Sequence, residues 1–129
     1  MEHVFEGAAA LQRHKPVADG SCVKLIQAFT KVGWTGRWRA GAAVLNNRMI
    51  RAGTAIATFE NGRWPTRTGR KHAAFFLRHG IDGFWVIDQY AGRAWVESRF
   101  IKTATAADRA KATYTPSNDA AQFSVILSP

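Results

Sequence analysis

Apolar residues recur at two different spacings along the chain, and the spacing changes near its middle. Cys22, Leu25, Ile26, Phe29 and Gly33 fall at i, i+3, i+4, i+7 and i+11, one face of a helix, while Lys24, Gln27 and Lys31 lie off that stripe. The spacing predicts a helix over residues 22–32. Asp19-Gly20-Ser21 precedes it, and a Ser21 hydroxyl can accept from an unpaired first-turn N–H, while Gly33 suits the position just past the helix end. Cys22 then sits in the first turn and points inward with the core stripe. Residues 1–20 read as a short helix at Gly7–Leu11 followed by a basic loop through Arg13, His14, Lys15 and Pro16.

After Gly53 the pattern becomes that of strands. Thr54–Phe59, His72–Leu77, Phe84–Tyr90, Val96–Ile101 and Phe123–Leu127 are short, apolar and bounded by turn residues. Glu60-Asn61-Gly62-Arg63 carries an Asn-Gly turn pair, and the Asp82-Gly83 pair in His79–Gly83 joins the second and third strands as a hairpin. Residues 34–53 read as a loop with one short helix and an Asn46-Asn47 turn. Thr103–Thr115 reads as a helix or an irregular excursion. A helix followed by antiparallel strands predicts an α+β fold, with the helix packed on one side of the sheet.

Length and composition narrow the picture further. At 129 residues the chain holds one domain, expected to span 1–129, and 47% hydrophobic with 21% charged residues is ordinary globular usage, which argues against disorder. The single cysteine excludes an internal disulfide and a thiolate zinc site, so no metal is expected. No run of apolar residues is long enough to span a membrane. The start, Met1-Glu2-His3-Val4-Phe5-Glu6, lacks a signal-peptide pattern, which argues against Sec export. A net charge of +9 favours an acidic partner: nucleic acid, an anionic membrane or a cell-wall polymer.

The chemistry centres on Cys22. A thiol attacks as thiolate, and a helix N-terminus lowers its pKa because unpaired N–H groups favour the anion. Such a nucleophile needs a base, and the base an orienting group. His72 opens the second predicted strand and Asp88 lies near the end of the third. On a hairpin centred near residues 80–81, position 72 faces 88 or 89, which sets imidazole and carboxylate side by side. Each residue also has a plainer role: Cys22 as a small core residue, His72 as a strand-edge residue, Asp88 as a partner of Arg70, Arg93 or Arg99. His79 reads as a turn residue, with the role of base as the alternative, and His3 and His14 as solvated. The five tryptophans read mainly as core, with Trp34, Trp38 and Trp64 in loops that can wall a cleft.

Four motifs in order resemble a known family. Gly20-Ser21-Cys22-Val23-Lys24-Leu25-Ile26-Gln27 resembles the nucleophile motif of papain-like NlpC and CHAP cell-wall amidases. Gly53-Thr-Ala-Ile-Ala-Thr-Phe59 resembles the strand that follows, Lys71-His72-Ala-Ala-Phe-Phe-Leu77 the histidine strand, and Trp85-Val86-Ile87-Asp88-Gln89-Tyr90 the third strand. With Arg37-Trp38-Arg39 and the segment from Ser117 to Ile126, residues 15–127 resemble the compact type VI secretion amidase effectors. The resemblance implies a papain-like fold and a cysteine amidase without cofactor. It implies catalytic Cys22, His72 and Asp88, with Ser21 and Gln89 as substrate or oxyanion contacts. Its implied setting is synthesis in the cytoplasm without a signal peptide, delivery by a secretion apparatus into a rival's periplasm, cleavage of peptidoglycan stems or crosslinks, and inhibition by a cognate immunity protein. The diaminopimelate–D-Ala crosslink is the favoured bond. The competing classes are a basic nucleic-acid-binding module, against which the absence of a recognisable binding motif counts, and a papain-like deamidase acting on a protein.

Overall fold

Six antiparallel strands form a single sheet in the computed structural model, which describes residues 1–129. In chain order they are β1 (Arg39–Ala43), β2 (Ala55–Thr58), β3 (Ala73–Gly80), β4 (Gly83–Asp88), β5 (Glu97–Lys102) and β6 (Phe123–Leu127). They lie side by side as β1-β6-β2-β3-β4-β5. Helix α1 (Cys22–Phe29) covers one face, and α2 (Ala106–Arg109) is a single turn in the excursion before β6.

The period of two along the strands separates two cores. On the helix side, Leu25 and Ile26 pack with Ala55, Ala57, Ala73, Phe75, Ile87 and Ile126. On the other, Ile56, Ala74, Phe76, Phe84, Val86 and Phe123 pack beneath Val44 and Ala120. Central strand β2 is buried at every position, which explains why its sequence is apolar without alternation.

Helix α1 is shorter than the stripe predicts. Thr30 leaves the helix with φ −140° and ψ 175°, and its hydroxyl donates to Ile26 O at 2.8 Å. That bond and the stiff β-branched side chain compete with another turn. Gly33 does take a positive φ of 70°, but in the loop, where its carbonyl accepts from Gln27 and from the Trp38 indole. Ser21 occupies the N-cap position without a side-chain cap bond, contrary to the expectation. Its N–H is taken instead by Asp19 Oδ1 at 2.9 Å.

Strand β1 has no forerunner in the pattern. Arg39-Ala-Gly-Ala-Ala43 offers no alternating large residues, and pairing with β6 alone makes it a strand. The excursion at 103–122 is irregular, with α2 capped by a reciprocal Thr105–Asp108 box. Buried Asp119 anchors it, accepting from Ala104 N, Ala121 N, Arg109 and the Tyr114 hydroxyl. Further expectations are revised. His3 is buried against Ser128 rather than solvated. His79 lies within β3, its Nε2 bonded to Val44 O at 2.8 Å. Only Trp38 among the tryptophans is fully buried, and Trp34 is 71% exposed.

Candidate active site

The hairpin of β3 and β4 fixes two of the three candidate residues. It turns at Ile81-Asp82, where Asp82 takes the left-handed conformation at φ 57°. Gly80 pairs with Gly83, His79 with Phe84 and Arg78 with Trp85, but Phe76 pairs with Val86 and Phe75 with Ile87. Leu77 is therefore an extra residue, a β-bulge. Because side chains alternate faces, one extra residue decides which ones share a face. Continued past Phe75, the bulged register sets Ala74 opposite Asp88, with His72 diagonal to it on the same face. Without the bulge Asp88 would oppose Phe75 and face away from His72. The expected directly opposed pair is thus corrected to a diagonal one, still within reach of long side chains.

The His72 imidazole donates from Nε2 to Asp88 Oδ2 at 2.7 Å, a buried bond. Thr58 holds the His72 backbone from both sides: its N–H donates to His72 O at 3.0 Å and its hydroxyl accepts from His72 N at 3.0 Å. Asp88 has no exposure. Arg99 Nε donates to its Oδ2 at 2.7 Å and Arg93 Nη1 to its Oδ1 at 2.6 Å. Both guanidiniums thus compensate a buried charge that would otherwise be costly. The acid pairs with Arg93 and Arg99 but not Arg70, and it bonds His72 as well.

Cys22 arrives from the helix side. Its side chain is half-buried at the head of α1 and lines the same groove as His72, near enough that each group acts on the other's ionisation. With Nε2 committed to Asp88, Nδ1 is the nitrogen left free to serve the thiol. Burial pushes the thiol up, but the neighbouring His72 and the backbone N–H groups of Ala73 and Val23 outweigh it, so the pKa lies below that of an ordinary thiol. For His72, burial lowers the pKa while Asp88 and then Cys22 raise it, and the net direction is upward. Burial also opposes ionisation of Asp88, yet His72 and Arg99 hold its carboxyl well below the usual carboxylate range. These shifts favour thiolate beside imidazolium.

Gln89 has a different place from the one expected. It follows Asp88 in sequence and so faces the helix side, almost fully buried. Oε1 accepts from Val17 N at 2.8 Å, and Nε2 donates to Val17 O at 3.0 Å and Ser21 O at 2.8 Å. Both amide hydrogens are engaged, which leaves none for an oxyanion. Consecutive residues therefore brace the two partners, Asp88 the imidazole and Gln89 the loop that delivers Cys22. The Cys22 N–H lies in the first turn of α1, where no intrahelical acceptor exists.

A groove of about 440 Å³ exposes the thiol, lined by Ser21, Cys22, Thr35, Trp64, Lys71 and His72 among others. Of the tryptophans expected to wall a cleft, Trp64 does so, and it packs edge-on against Trp38 with centroids 5.0 Å apart. Thr58 and Lys71 fall inside the quoted strand motifs and Arg93 and Arg99 are among the expected partners of Asp88, but nothing in the sequence marks what Thr58 and Lys71 do: an exposed lysine and a threonine in a strand look the same wherever they fall. No helix is long and apolar enough to cross a membrane.

Known proteins resemble this chain. A family model described as domesticated amidase effector 2 matches residues 7–126. The chain belongs to that family. A type VI secretion amidase effector 2 protein of Salmonella typhi is 42% identical over 106 residues, covering 79% of this chain and 80% of the relative. The solved structure of a type 6 secretion amidase effector 2 superposes with a TM-score of 0.87 at 36% identity, covering 98% of this chain and 94% of that one. The expected resemblance to type VI amidase effectors and the α+β papain-like fold both hold for this amidase effector.

Proposed function

We propose that the protein is an antibacterial peptidoglycan amidase that cuts an amide of stem peptides or their crosslinks through a Cys22–His72–Asp88 mechanism. The observation that carries this reading is the imidazole bonded to a buried carboxylate at 2.7 Å and lining one groove with a thiol at the head of a helix. The Cys22 thiolate attacks the amide carbon, and the developing oxyanion accepts from the Cys22 N–H. One such donor contributes about 3–4 kcal/mol in comparable enzymes. His72 gives its proton to the leaving nitrogen as the C–N bond breaks, which leaves a thioester on Cys22. Water then attacks the thioester carbon while His72 takes its proton, releasing the acid and restoring the thiolate. Asp88 holds the ring with Nε2 protonated and stabilises the imidazolium.

The cationic surface suits an anionic wall. Family membership supports delivery by a type VI apparatus into a rival's periplasm and control by an immunity protein. The diaminopimelate–D-Ala crosslink is the favoured bond, from resemblance. Purified sacculi digested with the wild type should yield muropeptides of lower mass with new free amines, and the masses name the bond. Cys22→Ala should lower that rate at least roughly 10³-fold with thermal unfolding unchanged within a few degrees. Cleavage by Cys22→Ala at the wild-type rate would overturn the mechanism.

A further inference from the structure

The groove at Cys22 continues past the histidine. A second depression, about 430 Å³, is lined by Lys71, His72, Tyr90, Arg99, Ser117 and Asn118, and shares Lys71, His72 and Tyr90 with the first. Its lining is polar and holds no acidic side chain. Arg99 uses Nε for Asp88 and Nη1 for Asn118 Oδ1, so it is fixed in the floor. Tyr90 is held under Arg93, whose guanidinium lies 4.4 Å from the ring centroid. Of the two permanent cations in the lining, Lys71 is the exposed one and has no acidic partner; Glu60 pairs with Arg67 and Arg70. A lone, uncompensated ammonium next to the general acid is a poor structural device, because it raises repulsion on an imidazolium that the reaction requires.

The reaction itself assigns a side of the substrate to this depression. His72 must reach the leaving nitrogen, so the residue carrying that nitrogen lies on the His72 side, over Lys71 and Arg99. Resting on the amidase reading, we infer that this second depression is a subsite for a free carboxylate on the leaving-group residue, with Lys71 as its cation. Lys71 is thus a specificity-determining residue: it favours substrates whose leaving amine sits beside an unblocked carboxylate. A blocked or amidated group offers no charge to the ammonium.

The test uses two synthetic crosslinked muropeptides that differ only in carboxylate or carboxamide on the leaving-group residue. The wild type should prefer the carboxylate several-fold, up to roughly tenfold in kcat/KM and mainly through KM, as expected of an accessible ion pair. Lys71→Ala should bring that ratio close to one, and Lys71→Arg should keep it. Added salt should shrink the wild-type ratio and leave the Lys71→Ala ratio where it is. Equal cleavage of both substrates by the wild type, or an undiminished ratio in Lys71→Ala, would overturn the subsite alone. If the wild type cuts neither peptide while Cys22 still reacts with iodoacetamide, the amidase reading falls with it.

Discussion

At the scale of single residues, the site depends on opposite pKa displacements of two neighbours. Cys22 is lowered and His72 raised, and both displacements favour the thiolate–imidazolium pair over the neutral one. The alkylation rate of Cys22 should therefore reach half its plateau below the ordinary thiol pKa of about 8.5. In His72→Ala the main opposing influence on burial is gone, and the midpoint should rise to about 8.5 or beyond. Asp88 sets the stability side of the same site. Its folded pKa is depressed, so the stability it contributes is present above its unfolded value, about 3.9, and is lost as pH falls through the folded value. His72 has the reverse sign: its share is complete below about 6.5 and is lost as pH rises through the raised folded value. Asp88→Asn should cost about 1.5–3 kcal/mol by chemical denaturation near neutral pH, because the partly buried Arg93 and Arg99 lose their charged acceptor. It should also flatten the acid limb of the stability curve.

At the scale of elements, two short pieces of chain carry more than their length suggests. Helix α1 has eight residues, too few to persist alone, so the packing of Leu25 and Ile26 and the grip of Gln89 on the preceding loop hold it in place. Gln89→Ala should lower kcat on the order of 10²-fold, the scale of a misplaced nucleophile, and expose the Val17 amide and the Val17 and Ser21 carbonyls to unsatisfied burial. Kinetics on a purified muropeptide read the first effect and denaturation the second. The bulge at Leu77 is the other piece. It sets the parity of β3 against β4, and with it the meeting of His72 and Asp88. Hairpin reasoning from the Asp-Gly pair finds both residues at one end of the sheet. It misjudges their pairing, because nothing about Leu77 in sequence marks a place where the ladder slips. Strand β1 escapes notice for a similar reason: Ala-Gly-Ala-Ala is a strand only because β6 lies beside it.

At the scale of the whole molecule, the net charge is +9, and the proposed substrate is an anionic polymer. Encounter with sacculi should be faster at low ionic strength, and kcat/KM on sacculi should fall several-fold between roughly 0.05 and 0.5 M salt, as the Debye length shrinks toward a few ångströms. On a small soluble muropeptide the fall should be smaller, since few of the charges lie within reach. A nucleic-acid-binding module would instead show steep salt dependence of oligonucleotide affinity, unaffected by Cys22→Ala.

The chain itself determined the α+β class, the helix headed by a lone cysteine, the central hairpin and the places of the three candidate residues within these elements. These are local or periodic properties, written in spacings of two and of three to four. Only the folded molecule decided that Gln89 braces a backbone rather than meeting an oxyanion, that Arg93 and Arg99 share Asp88, and that Lys71 borders both depressions. Each of these depends on which distant segments a polar side chain meets, and sequence separation carries no record of that.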